Sequence, residues 1–163
     1  MIIRPERVGD LEPIARLIAR AFDGATHANG EEASIVERLR QDGDLAASFV
    51  AIDDPEIVGH VAFSPVLVDG EVRGWFGLGP VAVAPGRQRR GIGSALIEHG
   101  LAALRKAGAR GCVVLGNPGY YGRFGFATDP ELTYPGPPAG YFQRVVLSGK
   151  APRGIVSYAP AFG

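Results

Sequence analysis

The chain has 163 residues, 46% hydrophobic and 21% charged, which is one ordinary globular domain with surface enough for a core and excludes a disordered chain. Its zero net charge hides a division: residues 1–80 carry 7 Lys/Arg against 14 Asp/Glu, and residues 81–163 carry 10 against 3. Cys112 is the only cysteine, which excludes an internal disulfide and any multi-cysteine zinc site.

In chain order, Ile2 and Ile3 start a short first strand. Asp10 is placed to cap a helix that tolerates Pro13 in its first turn, with Leu11, Ile14, Leu17, Ile18, Ala21 and Phe22 at helical spacing. Residues 24–30 break the pattern, and His27 lies in that loop. A second helix is expected over residues 31–41, with Ile35, Val36 and Leu39 as its apolar face. A strand over 47–53 follows, then a turn at Asp54-Pro55. A long strand over 57–68 is expected to bend near Pro65. Asp69-Gly70 is a strong hairpin signal, because both residues accept positive φ. The next strand therefore runs antiparallel over 73–83.

A long helix is expected from Gly91 to about Gly108. Cys112, Val113, Val114 and Leu115 form an apolar run that suits a strand buried on both faces. A short helix over 120–124 is ended by Gly125. A Pro/Gly-rich stretch covers 133–140, and residues 145–147 form the expected last strand. No repeat and no linker interrupts the chain, so residues 1–163 read as one domain. An antiparallel set followed by a strand–helix–strand crossover implies a mixed sheet with flanking helices.

The segment with chemical content is Val81-Ala82-Val83-Ala84-Pro85-Gly86-Arg87-Gln88-Arg89-Arg90-Gly91-Ile92-Gly93-Ser94. It is a strand, a turn and a helix start. A helix N-terminus presents unpaired N–H groups and the positive end of its dipole. Gly91 and Gly93 leave those groups approachable, and Arg87, Arg89 and Arg90 add positive charge. The combination is an anion cradle suited to a diphosphate. It is not a Walker A loop, which needs Gly-Lys-Ser/Thr. It is not the dinucleotide fingerprint either, whose third glycine is replaced by Leu96 and whose distant acid is missing.

Gln88-Arg89-Arg90-Gly91-Ile92-Gly93 resembles the Gln/Arg-x-x-Gly-x-Gly/Ala motif of the GNAT acetyltransferase superfamily. Tyr121-Gly122-Arg123-Phe124-Gly125-Phe126 is similar to its Tyr-x-x-x-Gly-Phe signature. The resemblance extends over the element order from residue 1 to about 147. Residues 61–66 and 115–121 carry a closer likeness to the small bacterial YhbS-type members. It implies an α/β fold built on a mixed, mostly antiparallel sheet with a splayed strand pair. It also implies acetyl-CoA as co-substrate and no metal. By that resemblance the amides of Gln88, Arg89, Arg90, Gly91, Ile92, Gly93 and Ser94 hold the pyrophosphate. Val81, Ala82 and Val83 flank the pantetheine arm, and Asn117 meets the cofactor or serves only as a turn residue. Tyr121 is the implied general acid, with Tyr120 as its rival. Gly77, Gly79 and Pro80 fit a bulged strand or close backbone packing.

The implied reaction is direct attack of a primary amine on the thioester in a ternary complex. The alternative is a CoA-binding sensor or interaction module that transfers nothing. Glu71, His60 and Glu32 are the possible bases, Cys112 is core, and His99 is an ordinary helix residue. The acceptor is a small molecule or a peptide end. The acidic residues over 31–44 and at the hairpin favour a cationic one. Nucleic acid is not expected as a partner, since no extended basic face is evident. With no apolar run near ~18 residues and no signal-like start, neither a membrane nor secretion is expected. A cytoplasmic monomer or homodimer is.

Overall fold

The structure is a computed structural model that describes residues 1–23 and 31–163. His27 therefore lies outside the described residues. The chain divides into two compact units. One comprises Met1–Phe63 and Gly79–Gly100, and the other Ser64–Leu78 and Leu101–Gly163.

The first unit begins with β1 (Ile2–Pro5), α1 (Leu11–Phe22), α2 (Glu32–Gln41) and β2 (Ala47–Asp53). Ile14, Leu17 and Ile18 of α1, and Val36 and Leu39 of α2, are the buried stripes that the helical spacing foretold. Asp10 does not cap α1 with its side chain. Its carboxylate instead takes the Arg7 N–H at 2.7 Å and the Arg4 guanidinium at 2.6 Å, closing a single 3-10 turn ahead of the helix. β1 pairs antiparallel with β2, and β2 with the first half of β3 (Glu56–Val68), with a register slip between Ala51 and Ile52. The unit closes with the end of β4 (Glu71–Val83) and the first turns of α3 (Ile92–Lys106). Gly100 sits on the ring of Phe63; a Cβ there would lie 2.2 Å from Cε2.

The second unit holds the hairpin of β3 and β4. Asp69 (φ 50°) and Gly70 (φ 77°) make the expected turn. β4 pairs parallel with β5 (Gly111–Leu115) only from Trp75↔Gly111 to Gly77↔Val113. After α4 (Pro118–Tyr121) and a 3-10 turn at Gly122–Phe124 come β6 (Leu132–Thr133), β7 (Phe142–Val146) and β8 (Gly154–Ser157). β7 pairs antiparallel with β5, β8 antiparallel with Leu67 and Val68 of β3, and β6 parallel with β8. Trp75, Val66, Val68, Val113, Leu132 and Val156 form the core of this unit. The hydrogen-bonded strand order is β1-β2-β3-β4-β5-β7, a mixed and mostly antiparallel sheet.

Several expected boundaries move. β3 continues through Pro65 as one strand, because Val66 and Val68 beyond it still enter the core. α3 stops at Lys106, and Gly108 (φ 91°) turns the chain after it. The strand expected over 145–147 is Phe142–Val146, and it is not the last, since β8 follows. The expected helix over 120–124 is α4 plus the 3-10 turn, ended by Gly125 (φ 93°).

Gly111 packs under Trp75, whose ring atoms lie 2.3–2.5 Å from where a Cβ would stand. Neither this ring nor that of Phe63 has room to withdraw. Gly100→Ala and Gly111→Ala should each lose about 1–3 kcal/mol through overpacking, measured by urea unfolding. Gly122→Ala, where open space surrounds the site, is the control for the loss of glycine itself.

Candidate active site

The loop between β4 and α3 holds most of the residues expected to meet a cofactor. Val81 and Val83 are half-buried while Ala82 between them is buried, as alternation along a strand requires. Gly86 (φ 86°), Arg89 (φ 66°) and Gly91 (φ 80°) take left-handed backbone conformations and wind the loop tightly. The first helical bond runs from the Ala95 N–H to the Gly91 carbonyl at 3.0 Å. Among the described residues, none of the N–H groups from Gln88 to Gly93 makes a well-formed bond to a backbone carbonyl. Gln88, Arg89, Arg90 and Gly91 are exposed; Gly93 and Ser94 are half-buried. The Gln88 side chain reaches back to the Val83 carbonyl at 3.4 Å, tying loop to strand.

Two residues that sequence reasoning did not weigh hold this loop. A Cβ at Gly59 would lie 2.8 Å from both Ile92 Cγ2 and Leu96 Cδ1, so the start of α3 rests directly on the β3 backbone. The Ala84 N–H is held by the Val58 carbonyl at 2.9 Å. A lone glycine inside an apolar strand was the available signal for Gly59. One expectation is corrected. Arg87 does not contribute free charge to the cradle, because it is ion-paired with Asp53 and lies 4.0 Å from Glu56. The Arg87 guanidinium also holds the Asp53 carboxyl below its usual range. Arg89 and Arg90 form no ion pair among the described residues.

In the second unit, Asn117 caps α4: its Oδ1 accepts the Gly119 N–H at 2.8 Å, the turn role weighed for it. Tyr121 lies against Gly116, where a Cβ would stand 2.2 Å from its ring. It also packs edge-on against Tyr120 and Phe126. Gly116 is fixed by its N–H to the Tyr141 carbonyl (3.0 Å) and by the buried Gln143 side chain on its own carbonyl (3.1 Å). Burial, aided by Tyr120, pushes the Tyr121 hydroxyl up to about 12, so it is a neutral O–H donor at physiological pH. Its hydroxyl has no hydrogen-bond partner among the described residues. The Arg123 guanidinium covers the ring of Tyr120, 4.4 Å from its centroid. Gly77 proves to be a close-packing glycine: the Tyr158 ring is 2.8 Å from where its Cβ would be.

One of the three possible bases changes character. His60 is fully buried, and its Nε2 lies 2.8 Å from Ser48 Oγ. Ser48 donates to Glu6 (2.5 Å), which takes a two-pronged contact from Arg40 (3.0 Å each). Burial lowers His60 to about 4 despite the nearby Glu6 carboxylate, so it is neutral and structural rather than a base facing the acceptor. Glu71 is exposed at the first residue of β4, and Glu32 opens α2. Cys112 is fully buried, and burial raises its thiol far out of reach of ionisation. His99 packs edge-on against Phe49, as befits a helix residue. Among the described residues no cluster of His, Cys, Asp or Glu could hold a metal ion. No described helix is long and apolar enough to cross a membrane.

A mixed sheet whose fourth strand feeds a glycine-bearing turn and then a helix is the frame of an acyl-CoA N-acyltransferase. The chain belongs to the GNAT acetyltransferases, matching the Acetyltransferase (GNAT) domain family over residues 3–128. It is 40% identical to the uncharacterized N-acetyltransferase YhbS of Escherichia coli K12 over 127 residues, 77% of this chain and 73% of that one. The crystal structure of a GNAT family acetyltransferase from Brucella melitensis in complex with acetyl-CoA superimposes with a TM-score of 0.89. The two are 46% identical, over 99% of this chain and 97% of the other. The Escherichia coli YhbS structure in complex with CoA gives a TM-score of 0.89 at 35% identity, over 99% and 91%.

The buried histidine makes a measurable prediction. Its folded value lies below its unfolded one, so the unfolded chain binds the proton first, and stability falls as pH drops from 6.5 toward 4. The loss should total on the order of 3 kcal/mol across that window. Glu6 is also lowered: burial opposes this, but the Arg40 and Ser48 hydrogen bonds outweigh it, so it adds further loss below its ordinary range. In His60→Asn the slope of unfolding free energy between pH 6.5 and 4.5 should flatten. An unchanged slope would remove the assignment.

Proposed function

We propose that the chain transfers an acetyl group from acetyl-CoA to a primary amine by direct attack, with no covalent enzyme intermediate. The observation that carries this reading is the run of N–H groups from Gln88 to Gly93 at the start of α3 that make no backbone hydrogen bond among the described residues, beside Arg89 and Arg90, which form no ion pair there. When bound, acetyl-CoA supplies a thioester activated toward nucleophiles. The amides of residues 88–94 bind its pyrophosphate, and Arg89 and Arg90 supplement them. Val81 and Val83 offer backbone groups to the pantetheine arm, and the Val81 N–H polarises the thioester carbonyl. Tyr121 holds a proton on its hydroxyl for the departing sulfur. Its desolvated, protonated state supports that role over Tyr120, whose ring is covered by Arg123. Asn117 Oδ1 is occupied by the α4 cap, so any contact with the cofactor falls to its remaining atoms.

The acceptor class is read from charge. Asp69 is no longer part of that argument, because it accepts the Ile155 N–H at 2.8 Å and braces β8. The cleft between α1 and α2, about 350 Å³, is lined by Ile14, Ile18 and Val36 with Glu12 and Glu37, and by Arg40, whose charge is paired with Glu6. It suits an amine with an apolar body and positive charge. A cytoplasmic setting suits the single reduced thiol.

Gly91→Val should weaken CoA binding at least tenfold by calorimetry, in protein whose melting temperature shows it folded. Unchanged affinity would overturn the loop assignment. Tyr121→Phe should lower turnover by about 10²–10⁴ with CoA affinity retained. Wild-type turnover in that variant would remove the acid role. CoA binding with no acetylated product, by mass spectrometry over a broad amine panel, would favour the sensor reading.

A further inference from the structure

The second unit contains a cavity of about 400 Å³ whose lining includes Arg73, Arg110 and Lys150, with Trp75 and Pro152, and no carboxylate. We propose that these three cations form a binding site for a small ligand bearing a diphosphate or similar multivalent phosphate group. The site uses none of the residues of the 88–94 loop.

Charge balance is the first argument. Two other arginines of this unit are matched with acids: Arg144 with Asp129 at 3.1 Å, and Arg153 with Glu131 at 2.5 Å. Arg73, Arg110 and Lys150 form no ion pair or side-chain hydrogen bond among the described residues. Three like charges around one cavity repel one another, and an anion in the cavity reverses the sign of that energy.

Placement is the second argument. Arg110 is pinned by its backbone: its N–H donates to the Gly74 carbonyl at 2.8 Å, and its carbonyl accepts from Leu147 (2.8 Å) and Ser148 (3.0 Å). Its stem lies along Gly74, 3.3 Å from where a Cβ would stand. Its guanidinium passes 3.6 Å from the equivalent point on Gly149. Both glycines have φ of 74°, a conformation that other residues rarely adopt. Arg73 immediately precedes one of them and Lys150 immediately follows the other, and both line the same cavity as Arg110. Trp75, 2% exposed, is rigid support beneath.

Chemistry sets the ligand class. Guanidinium groups donate in a planar fork and accept nothing, so two of them beside an ammonium match the oxygens of phosphate groups. The volume lies within the range of small-molecule sites. This inference stands whether or not the chain transfers an acetyl group.

The test is titration of inorganic pyrophosphate into the full chain, with and without saturating CoA, followed by calorimetry and amide chemical shifts. With CoA saturating the 88–94 loop, saturable one-site binding of pyrophosphate is expected. Arg110→Ala and the double variant Arg73→Ala/Lys150→Ala should each weaken it roughly 10–100-fold, the worth of a charge-assisted hydrogen bond or two. Both should leave CoA affinity unchanged. The double variant alters only exposed side chains, so it decides the matter if Arg110→Ala unfolds. Absence of saturable binding, binding abolished by CoA, or affinity unaffected by the double variant would each overturn the site. Citrate binding as tightly as pyrophosphate would overturn its assignment to phosphate.

Discussion

β4 and β5 are held together by three residue pairs, and the ladder stops at Gly77 and Val113. Side chains pack closely at both ends of it. The Trp75 indole fills the space above Gly111, where a methyl group would not fit, and the Tyr158 ring fills the space above Gly77. Val114 and Leu115 of β5 continue to pair with β7 on their other side. Beyond Gly77, β4 bears the backbone polarity of a strand with no β5 partner in register.

The same principle operates in the 88–94 loop, where the positive φ of Arg89 and Gly91 turns the N–H groups away from carbonyls of their own chain. Gly59 matters there because it lets Ile92 and Leu96 seat α3 close to β3, which fixes where those N–H groups stand. In the reading proposed above, function rests on what the backbone leaves unmade, and small residues at contact points set where that happens.

Much of this was legible from residues alone, and the failures have physical causes. Asp69-Gly70 announced the hairpin because its turn demands positive φ twice. The Gln88-to-Gly93 motif announced the loop because few residue strings combine glycines, arginines and a following apolar helix. The two-residue β6 and four-residue β8 carry too little periodicity to register, and they form by pairing with strands distant in sequence. Arg87, Asp10 and His60 depart from expectation for one shared reason. Each is engaged by a residue brought near by folding, Asp53, Arg4 and Ser48 respectively, and spacing along the chain does not disclose such a partner. The surplus of positive charge in the second half was visible. That Arg110 and Lys150 share a cavity with Arg73 of the first half was not.

The burial of Cys112 has a practical consequence. Its sulfur is sealed inside β5, and no other cysteine exists in the chain. Disulfide-exchange dyes and maleimides read thiolate that solvent can reach, so the folded protein is silent to them. Free CoA can therefore be counted colorimetrically as it forms, with no blank contributed by the enzyme. A cysteine introduced at an exposed position such as Val72 would be the sole attachment point for a fluorophore or spin label.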